Sequence, residues 1–425
     1  MSMSSLLSDD LLRQLMAAGQ VDIVVGVPTL NNAATVGGVV RAVHLAFTGQ
    51  FKRDRTVLIS FDAGSDDGTT ELVRRASLVE SETLVAPQAF RTVHRISSPY
   101  HGLPGKGGVL RALFGAAELL DARAVALFDP DVTSMTPDWV ERLVHPVFRD
   151  GYDYVAPAFS RHPTEGPLVT QLARPLIRAA YGHRMREPLS SEFGCSMAFA
   201  SHCLAEDIWS SPFLNHGIDI WLATTALASG FRCGEAVLGP RLQAPSAERP
   251  ALPELFRQVV GTLFTCLELH QSYWLGREGS EPLPRLTDGP LWSPEGSTLD
   301  PAPLAESFRS GVRDLRPVLG RILDAATHAE VERACALEGP APAFPDDLWI
   351  STLTQFAASH HREIIHRDHL IQALVPLYLG RTASFLAEDG AREPAAVEER
   401  LEALGQRFEK EKAQFLRCWK AEEGG

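Results

Sequence analysis

Short apolar runs alternate with longer amphipathic segments over the first third of the chain. The runs are rich in Val, Ile and Leu and end at turn-forming residues, a pattern typical of buried strands. They cover residues 21–28, 56–61, 92–96 and 124–128. Between them, residues 33–47 and 108–120 carry apolar positions at helical spacing. Strand alternating with helix predicts an α/β fold, a mostly parallel sheet flanked by helices.

The pattern also predicts how the chain divides. Residues 1–20 have apolar positions at helical spacing and are expected to form an N-terminal helical extension. Residues 21–276 hold the α/β domain. Residues 277–305 are rich in Pro, Gly, Ser and acidic residues, so we interpret them as a linker or long loop. Residues 306–425 return to helical periodicity and predict a helical C-terminal domain.

Composition excludes some classes of partner. The 425 residues carry a formal net charge of −13. Surfaces that bind nucleic acid are basic, so we expect no nucleic-acid partner. The six cysteines form no CxxC pair, which favours reduced thiols over a zinc site. The sequence has neither a signal-peptide pattern nor an apolar run of membrane-span length, so we expect a cytoplasmic protein with no membrane span.

Asp129 and Asp131, the acid pair, come directly after the last of the four predicted strands. Two carboxylates on one turn can approach the same hard cation, and Mg²⁺ or Mn²⁺ would share its other positions between water and phosphate oxygens. Such a cation offsets the charge on a departing diphosphate. The alternative is that both are solvated turn residues.

A small-residue loop at 104–108 leads into a helix and contains Lys106. Helix N-termini favour anions, so Lys106 is a candidate phosphate contact. Neither the residue after the lysine nor the upstream spacing fits a Walker A loop, which excludes an ATPase of that type. The alternative is a plain loop with an exposed lysine.

The segment 62–69 follows the second predicted strand and has five acidic or hydroxyl side chains. A calcium loop is excluded because Asp67 stands where glycine is needed and Val73 where glutamate is needed. We expect Asp62 to meet a base or ribose, and Asp66 and Asp67 to cap a helix.

Two further groups carry polar chemistry. Asp219 lies in an apolar stretch, where an unpaired carboxylate is costly. It is a candidate for contacting sugar hydroxyls, and a structural hydrogen bond is the alternative. Arg161 and His162, with Thr170 and Arg174, suit a carboxylate or phosphate on a small substrate. Each of these residues taken singly is typical of a charged surface.

Taken in order, these motifs resemble the nucleotide-sugar core of GT-A-type glycosyltransferases, which have a Rossmann-like fold. The match narrows to the group of glucosylglycerate, glucosyl-3-phosphoglycerate and mannosylglycerate synthases, and it covers almost the whole chain. The matching segments are 25–32, 62–69, 104–107, 129–131, 137–139, 152–157, 161–162, 217–219, 258–264 and 376–381.

The resemblance implies a metal-dependent, retaining hexosyltransferase that uses Mg²⁺ or Mn²⁺. Its donor would be a UDP- or GDP-linked sugar, and its acceptor a small acid such as glycerate or 3-phosphoglycerate. Residues 21–276 would be the GT-A catalytic domain, and a homodimer is expected.

The resemblance also assigns roles to individual residues. The nucleotide would face Pro28, Thr29, Asn32, Asp62 and Asp129. Lys106 would neighbour the phosphates, Asp131 would be the main carboxylate on the metal, and Asp219 would lie beside the transferred sugar. The acceptor would contact Arg161, Gly166 and Thr170.

This sequence departs from the group at two places. Gln243 stands where the group has a histidine metal ligand, and we expect its amide oxygen to be a poorer ligand for Mn²⁺ than neutral imidazole. Ser190 and Ser191 replace a Gly-Gly pair before Glu192, where added side chains would crowd the pocket. Three hypotheses follow: an active transferase of this type, the same core with a different donor or acceptor, and a degenerate nucleotide-sugar-binding protein without turnover.

Overall fold

The computed structural model describes residues 7–76, 93–99, 106–209, 214–244, 252–293, 299–337 and 339–421, and of residues 93–99 and 214–216 it describes the backbone. The chain forms two compact units, each discontinuous in sequence. The sheet unit comprises Met1–Ser160, Leu189–Pro250 and Leu283–Leu291. The helical unit comprises Arg161–Pro188, Ala251–Pro282 and Trp292–Gly425. The domain boundaries predicted above were continuous segments, and they remain predictions.

Strands occur in both units. They are, in chain order, β1 (Ile23–Thr29), β2 (Thr56–Asp62), β3 (Val93–Pro99), β4 (Ala124–Leu127), β5 (Tyr154–Ser160), β6 (His183–Arg184), β7 (Phe193–Ser196), β8 (Cys233–Pro240) and β9 (Glu281–Pro282). Seven of them form one sheet in the order β3-β2-β1-β4-β7-β5-β8, and β6 pairs with β9 in the helical unit.

The seven-stranded sheet is mostly parallel, as the sequence predicts. Strands β1, β2, β3 and β4 pair in parallel, and so do β5 and β8. Only β7 among these strands runs antiparallel, pairing with β4 and with β5. The carboxyl ends of β1, β2 and β4 therefore lie at one edge of the sheet, the edge where open α/β sheets bind ligands.

The helices surround this sheet or build the helical unit. They are α1 (Asp9–Ala18), α2 (Val36–Thr48), α3 (Thr69–Ala76), α4 (Lys106–Leu119), α5 (Pro137–Asp150), α6 (Arg174–Tyr181), α7 (Met197–Ala205), α8 (Leu214–Ala228), α9 (Leu252–Leu269), α10 (Gln271–Trp274), α11 (Pro301–Ile322), α12 (Ala325–Ala336), α13 (Asp346–His361), α14 (Arg367–Asp389), α15 (Pro394–Lys410) and α16 (Lys412–Lys420). A π-helical turn, Leu168–Ala173, precedes α6.

Helix α5 shows how the sheet unit is packed. It begins with proline at its first position and ends at Gly151, whose φ of 74° is the left-handed conformation that glycine adopts readily. Its buried face contributes Trp139, which lies 5.4 Å from the Phe159 ring of β5. Gly194 of β7 passes so close that a Cβ there would lie 2.2 Å from the carbonyl oxygen of Leu143. Only glycine fits at that strand position.

The helical unit is held by close helix crossings and a buried ion pair. A Cβ at Gly380 of α14 would lie 2.5 Å from the Phe308 ring of α11. Arg381 is buried and donates to Asp346 at 2.6 Å and to the Gln171 side chain at 3.0 Å. Burial lowers the pKa of Arg381, while Asp346 acts against that shift. The predicted C-terminal helical region is confirmed, and α11 already begins inside the segment interpreted as a linker.

One helix of the described residues, α14, has the length and composition of a membrane span, with a window of mean hydropathy 1.3. The sequence analysis found no such run. Within the protein 78% of that window is buried, which is what the core helix of a folded unit shows.

Candidate functional site

Polar side chains gather where β1 and β2 end. Thr29 donates its hydroxyl to Asp62 at 3.0 Å, and Ser65 donates its hydroxyl to the same carboxylate at 2.6 Å. The backbone N–H groups of Gly64 and Ser65 donate to the other Asp62 oxygen. From the sequence, Asp66 and Asp67 were expected to cap a helix and Asp62 to meet a base or ribose. Asp62 also caps this turn, so its carboxylate is largely committed to protein donors.

Asp67 fulfils the capping role expected of it. Its carboxylate accepts from the hydroxyl and backbone N–H of Thr69 at the start of α3, and from the backbone N–H of Ala33. The Thr69 hydroxyl is the main reason that the pKa of Asp67 is lowered. Asp66 contributes its backbone N–H, which donates to the side chain of Asn31.

Asn32 joins the end of β1 to the acid pair. Its side-chain amide donates to Asp131 at 2.6 Å, and its side-chain oxygen accepts from the backbone N–H of Leu30 at 2.7 Å. Its own backbone N–H donates to Thr69 at 2.8 Å. Asn32 is 6% exposed, so these bonds fix its orientation and make it a positioning residue for Asp131.

The acid pair is held from both sides. Asp131 donates its backbone N–H to Asp129 at 2.9 Å. The other oxygen of Asp129 accepts from Arg241 at 3.1 Å and from the side-chain amide of Gln243 at 3.3 Å. Gln243, predicted as a metal ligand, is therefore placed next to the acid pair as a hydrogen-bond donor to Asp129.

Arg241 is a member of the site that the sequence analysis missed. Besides Asp129 it contacts both oxygens of Glu192, which is fully buried, at 2.9 to 3.2 Å. Burial opposes ionisation of Glu192, but the charge and hydrogen bonds of Arg241, with help from Ser190, lower its pKa overall. Ser190 donates to Glu192 at 2.8 Å, so this departure from the glycosyltransferase pattern has a structural use.

Lys106 and Asp219 form the second ion pair of the site. The Lys106 ammonium, at the start of α4, lies 2.5 and 2.6 Å from the two oxygens of Asp219 on α8. Asp219 is 7% exposed, and burial raises its pKa to about 6 against the opposing effect of Lys106. Asp129 and Glu192 also raise that pKa, which shows that these carboxylates share one electrostatic environment. Residues 104–105 of the predicted loop lie outside the described residues.

The charges at this site do not balance. Among the described residues, the acid pair, Glu192 and Asp219 contribute four carboxylates, whereas Lys106 and Arg241 contribute two cations. A diphosphate would add further negative charge, and like charges in a partly buried site repel strongly. Binding of a diphosphate here therefore calls for a cation.

The donor atoms around the acid pair suit a hard cation. The two carboxylates supply oxygen ligands, and Mg²⁺ is commonly held by one or two carboxylates together with water and phosphate oxygens. In the described part of the chain, no group of three or more His, Cys, Asp or Glu residues is arranged to hold a metal alone. Such a site would hold a cation mainly in company with a phosphate ligand.

The predicted acceptor residues lie together in the helical unit. Arg161 donates to Glu187 at 2.9 Å. Gly166 has a φ of +62°, and a Cβ there would lie 3.1 Å from the Arg161 guanidinium. Thr170 lies on the π-helical turn, and its buried hydroxyl has no hydrogen-bond partner. Arg161, Thr170 and Glu187 line a cavity of about 10 Å³ together with Arg174, Arg186 and Glu398. The last two were not anticipated, because more than 200 residues separate Arg186 from Glu398.

Comparison with known proteins finds similar solved structures. No family model and no curated protein sequence matches the chain. It is similar to glucosyl-3-phosphoglycerate synthase of Mycobacterium tuberculosis in complex with Mg²⁺ and UDP, with 24% identity, a TM-score of 0.43, and coverage of 60% of this chain and 83% of that one. For the complex with Mn²⁺, UDP-glucose and phosphoglyceric acid the identity is 25%, the TM-score 0.41, and the coverage 60% and 83%. For the complex with phosphoglyceric acid alone the identity is 22%, the TM-score is 0.43, and the coverage is 66% of this chain and 94% of that one.

Proposed function

We propose that this protein is a metal-dependent glycosyltransferase, a hexosyltransferase that uses a nucleoside-diphosphate sugar. The observation that carries the proposal is the acid pair at the carboxyl end of β4, fixed by Asn32 and Arg241 in a site whose described residues hold more carboxylates than cations. That arrangement suits a cation shared with a diphosphate. The ordered motifs of the sequence, which resemble GT-A-type glycosyltransferases, support the same function.

Each side chain at the donor end has a definable task. Pro28, Thr29, Asn32 and Asp62 would border the nucleotide, with Asp129 nearest the ribose. Lys106 and Arg241 would face the diphosphate, and Asp219 would orient the sugar while holding Lys106 in place. Asp131, with Asp129 and Gln243 beside it, would hold Mg²⁺ or Mn²⁺. When bound, that cation stabilises the negative charge of the leaving diphosphate.

The acceptor would be a small acid such as glycerate or 3-phosphoglycerate, bound through Arg161, Gly166 and Thr170. The glycosyltransferase group that the sequence resembles retains the anomeric configuration. Attack on the face from which the diphosphate departs would let that diphosphate take the acceptor's proton, so no protein base is required. UDP-glucose and phosphoglyceric acid, the ligands of the similar mycobacterial structures, are the first pair to test, followed by GDP-linked sugars. A cytoplasmic homodimer remains our expectation.

A second candidate is a protein that binds a nucleotide sugar without turnover. It is favoured by Gln243, which donates to Asp129 where the glycosyltransferase group has a histidine metal ligand. The two candidates share the donor site and differ in whether UDP is released from UDP-glucose when an acceptor is present.

The test combines binding with turnover. Thermal unfolding of the full chain is followed with UDP and with GDP, each with and without Mn²⁺ or Mg²⁺, because a ligand of the folded state raises its stability. We expect one nucleotide to stabilise the protein only when the cation is present. Absence of any shift under all conditions would contradict both candidates.

Asp131→Asn tests the acid pair itself. The variant should lower turnover of the donor by about a hundred-fold or more, since it removes the carboxylate best placed to hold the cation. Asp150→Asn, at the exposed end of α5 in the same unit, is the matched control and should retain full activity. Wild-type protein that binds the nucleotide with metal but releases no UDP with any acceptor supports the second candidate.

A further inference from the structure

A glutamate from α15 is bound between two arginines beside the predicted acceptor residues. One oxygen of Glu398 accepts from Arg174 at 2.8 Å and from Arg186 at 2.8 Å. All three residues belong to the helical unit and line the same small cavity as Arg161 and Thr170. This is the geometry in which a pair of guanidinium groups holds the carboxylate or phosphate of a ligand.

The polar atoms around this cavity are incompletely satisfied. The second oxygen of Glu398 and the hydroxyl of Thr170 are both buried without a hydrogen-bond partner. Thr170 is 8% exposed and lines the cavity. Buried polar atoms are nearly always hydrogen-bonded, so two such atoms beside one cavity point to a ligand that would satisfy them.

The charges favour an anion. In the described part of the chain, three guanidinium groups, those of Arg161, Arg174 and Arg186, meet two carboxylates, those of Glu187 and Glu398. Burial opposes ionisation of Glu398, but Arg174 and Arg186 lower its pKa overall, so it is ionised at neutral pH. With the cavity at about 10 Å³, a phosphate fits only if the Glu398 carboxylate moves away.

A second ion pair on α15 shows what a purely structural contact looks like. Arg178 donates to Glu402 at 2.7 Å and to Glu409 at 2.5 Å. Gly405 makes room for this guanidinium, because a Cβ there would lie 2.8 Å from it. Arg184 also lies 3.7 Å from Glu402, so two cations face two carboxylates in that contact, whereas the described cations outnumber the carboxylates around Glu398.

We propose that Arg174 and Arg186 form an anion-binding site which the Glu398 carboxylate fills in the absence of ligand. The ligand is a compact carboxylate or phosphate, and it binds by displacing Glu398 from the two arginines. Glu398 thereby acts as an autoinhibitory group that weakens binding of the acid until a suitable anion competes with it. The identity of that anion as the transfer acceptor rests on the proposed function.

The test measures anion binding without donor or turnover. Inorganic phosphate, glycerate and 3-phosphoglycerate are titrated into the full-length wild-type protein, Glu398→Gln and Glu402→Gln, with potassium chloride at matched ionic strength as reference. Glu398→Gln should bind phosphate or carboxylate about ten-fold more tightly or better, because no internal carboxylate competes. Glu402→Gln, the matched control on the same helix, should bind like the wild type.

Thermal unfolding gives an independent result. Glu398→Gln leaves two arginines without their carboxylate, so the variant should unfold at a lower temperature than the wild type. Phosphate should raise its unfolding temperature more than chloride does. Unchanged or weaker anion affinity in Glu398→Gln would overturn the proposal. Should Glu398→Gln fail to fold, Glu398→Asp, whose shorter side chain retains the charge but weakens the contact, must still bind phosphate more tightly than wild type. Stronger binding of phosphate than of glycerate identifies the phosphate as the recognised group, and the reverse identifies the carboxylate.

Failure of this test is distinguishable from failure of the proposed transfer. Nucleotide binding with Mn²⁺ depends on the acid pair in the sheet unit and is measured separately. Loss of the anion effect would leave that binding unchanged.

Discussion

At the scale of single residues, the site is built from side chains that position one another. Asn32 fixes Asp131, Arg241 fixes Asp129, and Lys106 is held by Asp219. The sequence indicated Asn32, Lys106 and the acid pair because they follow predicted strands, and it indicated Asp219 because that acid lies in an apolar stretch. It did not reveal Arg241, whose partner Glu192 is 49 residues away. Contacts of that kind depend on how β7 and β8 are placed, which no local pattern specifies.

The ion pair of Lys106 and Asp219 predicts a pH dependence. Burial raises the pKa of Asp219 to about 6, so its carboxylate takes up a proton as the pH falls through that value. Lys106 then loses its partner, and KM for the donor sugar should rise below about pH 6. Initial rates measured between about pH 5 and pH 8 give KM and kcat separately. In Asp219→Asn, the KM for the donor sugar should vary little over this pH range.

The stability of the protein should respond with the opposite sign. The folded protein holds the Asp219 proton up to about pH 6, whereas the unfolded chain loses it near the ordinary value of 3.8. Protonation therefore favours the folded state, and the contribution of Asp219 to stability decreases as pH rises between these values. A wild-type KM that does not change across the range would contradict a functional role for the pair.

Gln243→His tests whether the missing imidazole weakens the metal site. The Gln243 amide donates to Asp129, whereas a neutral imidazole can offer a lone pair to the cation, so the variant should bind Mn²⁺ about ten-fold more tightly in the presence of UDP. Isothermal titration measures this affinity without relying on turnover. Gln14→His, on the exposed face of α1, is the control for adding a histidine. Equal Mn²⁺ affinities in Gln243→His and the wild type would show that position 243 does not contact the cation.

At the scale of elements, hydrophobic periodicity predicted the strands β1 to β4 and the helices between them. The apolar runs that mark these strands alternate with amphipathic helices, and the parallel pairing of the strands follows from those crossover helices. Strand β7 has only four residues, Phe193–Ser196, and its position between β4 and β5 depends on Gly194 packing against the Leu143 backbone. So short a run has no distinct periodicity, and its antiparallel direction cannot be predicted from its own residues.

Helix α15 shows the same limit for the candidate acceptor residues. Its amphipathic pattern predicts a helix, and its buried positions include Val397 and Leu401. The pattern treats Glu398 as one more charged residue on a solvated face. Only the folded helical unit brings it to Arg174, 224 residues earlier in the sequence. The role of a charged residue next to buried positions therefore depends on its tertiary contacts.

At the scale of the whole molecule, the two units carry different predicted ligands. The acid pair, Lys106 and Asp219 belong to the sheet unit, whereas Arg174, Arg186 and Glu398 belong to the helical unit. A ligand that binds the folded state slows opening of the segments it contacts, and hydrogen exchange reports such opening segment by segment. Each ligand should therefore leave its own pattern of protection along the chain.

We expect UDP with Mn²⁺ to slow exchange at the ends of β1, β2 and β4, around residues 28–32, 62–67 and 129–132. Phosphate added to Glu398→Gln should slow exchange in residues 168–186 instead. Mn²⁺ without UDP and chloride without phosphate are the controls, since neither supplies the group that the site recognises. Protection by UDP confined to residues 168–186, or by phosphate confined to the strand ends, would exclude the division of ligands between the units. Protection in both expected patterns would show that nucleotide and acid are recognised by separate groups of residues, as transfer between a donor and an acceptor requires.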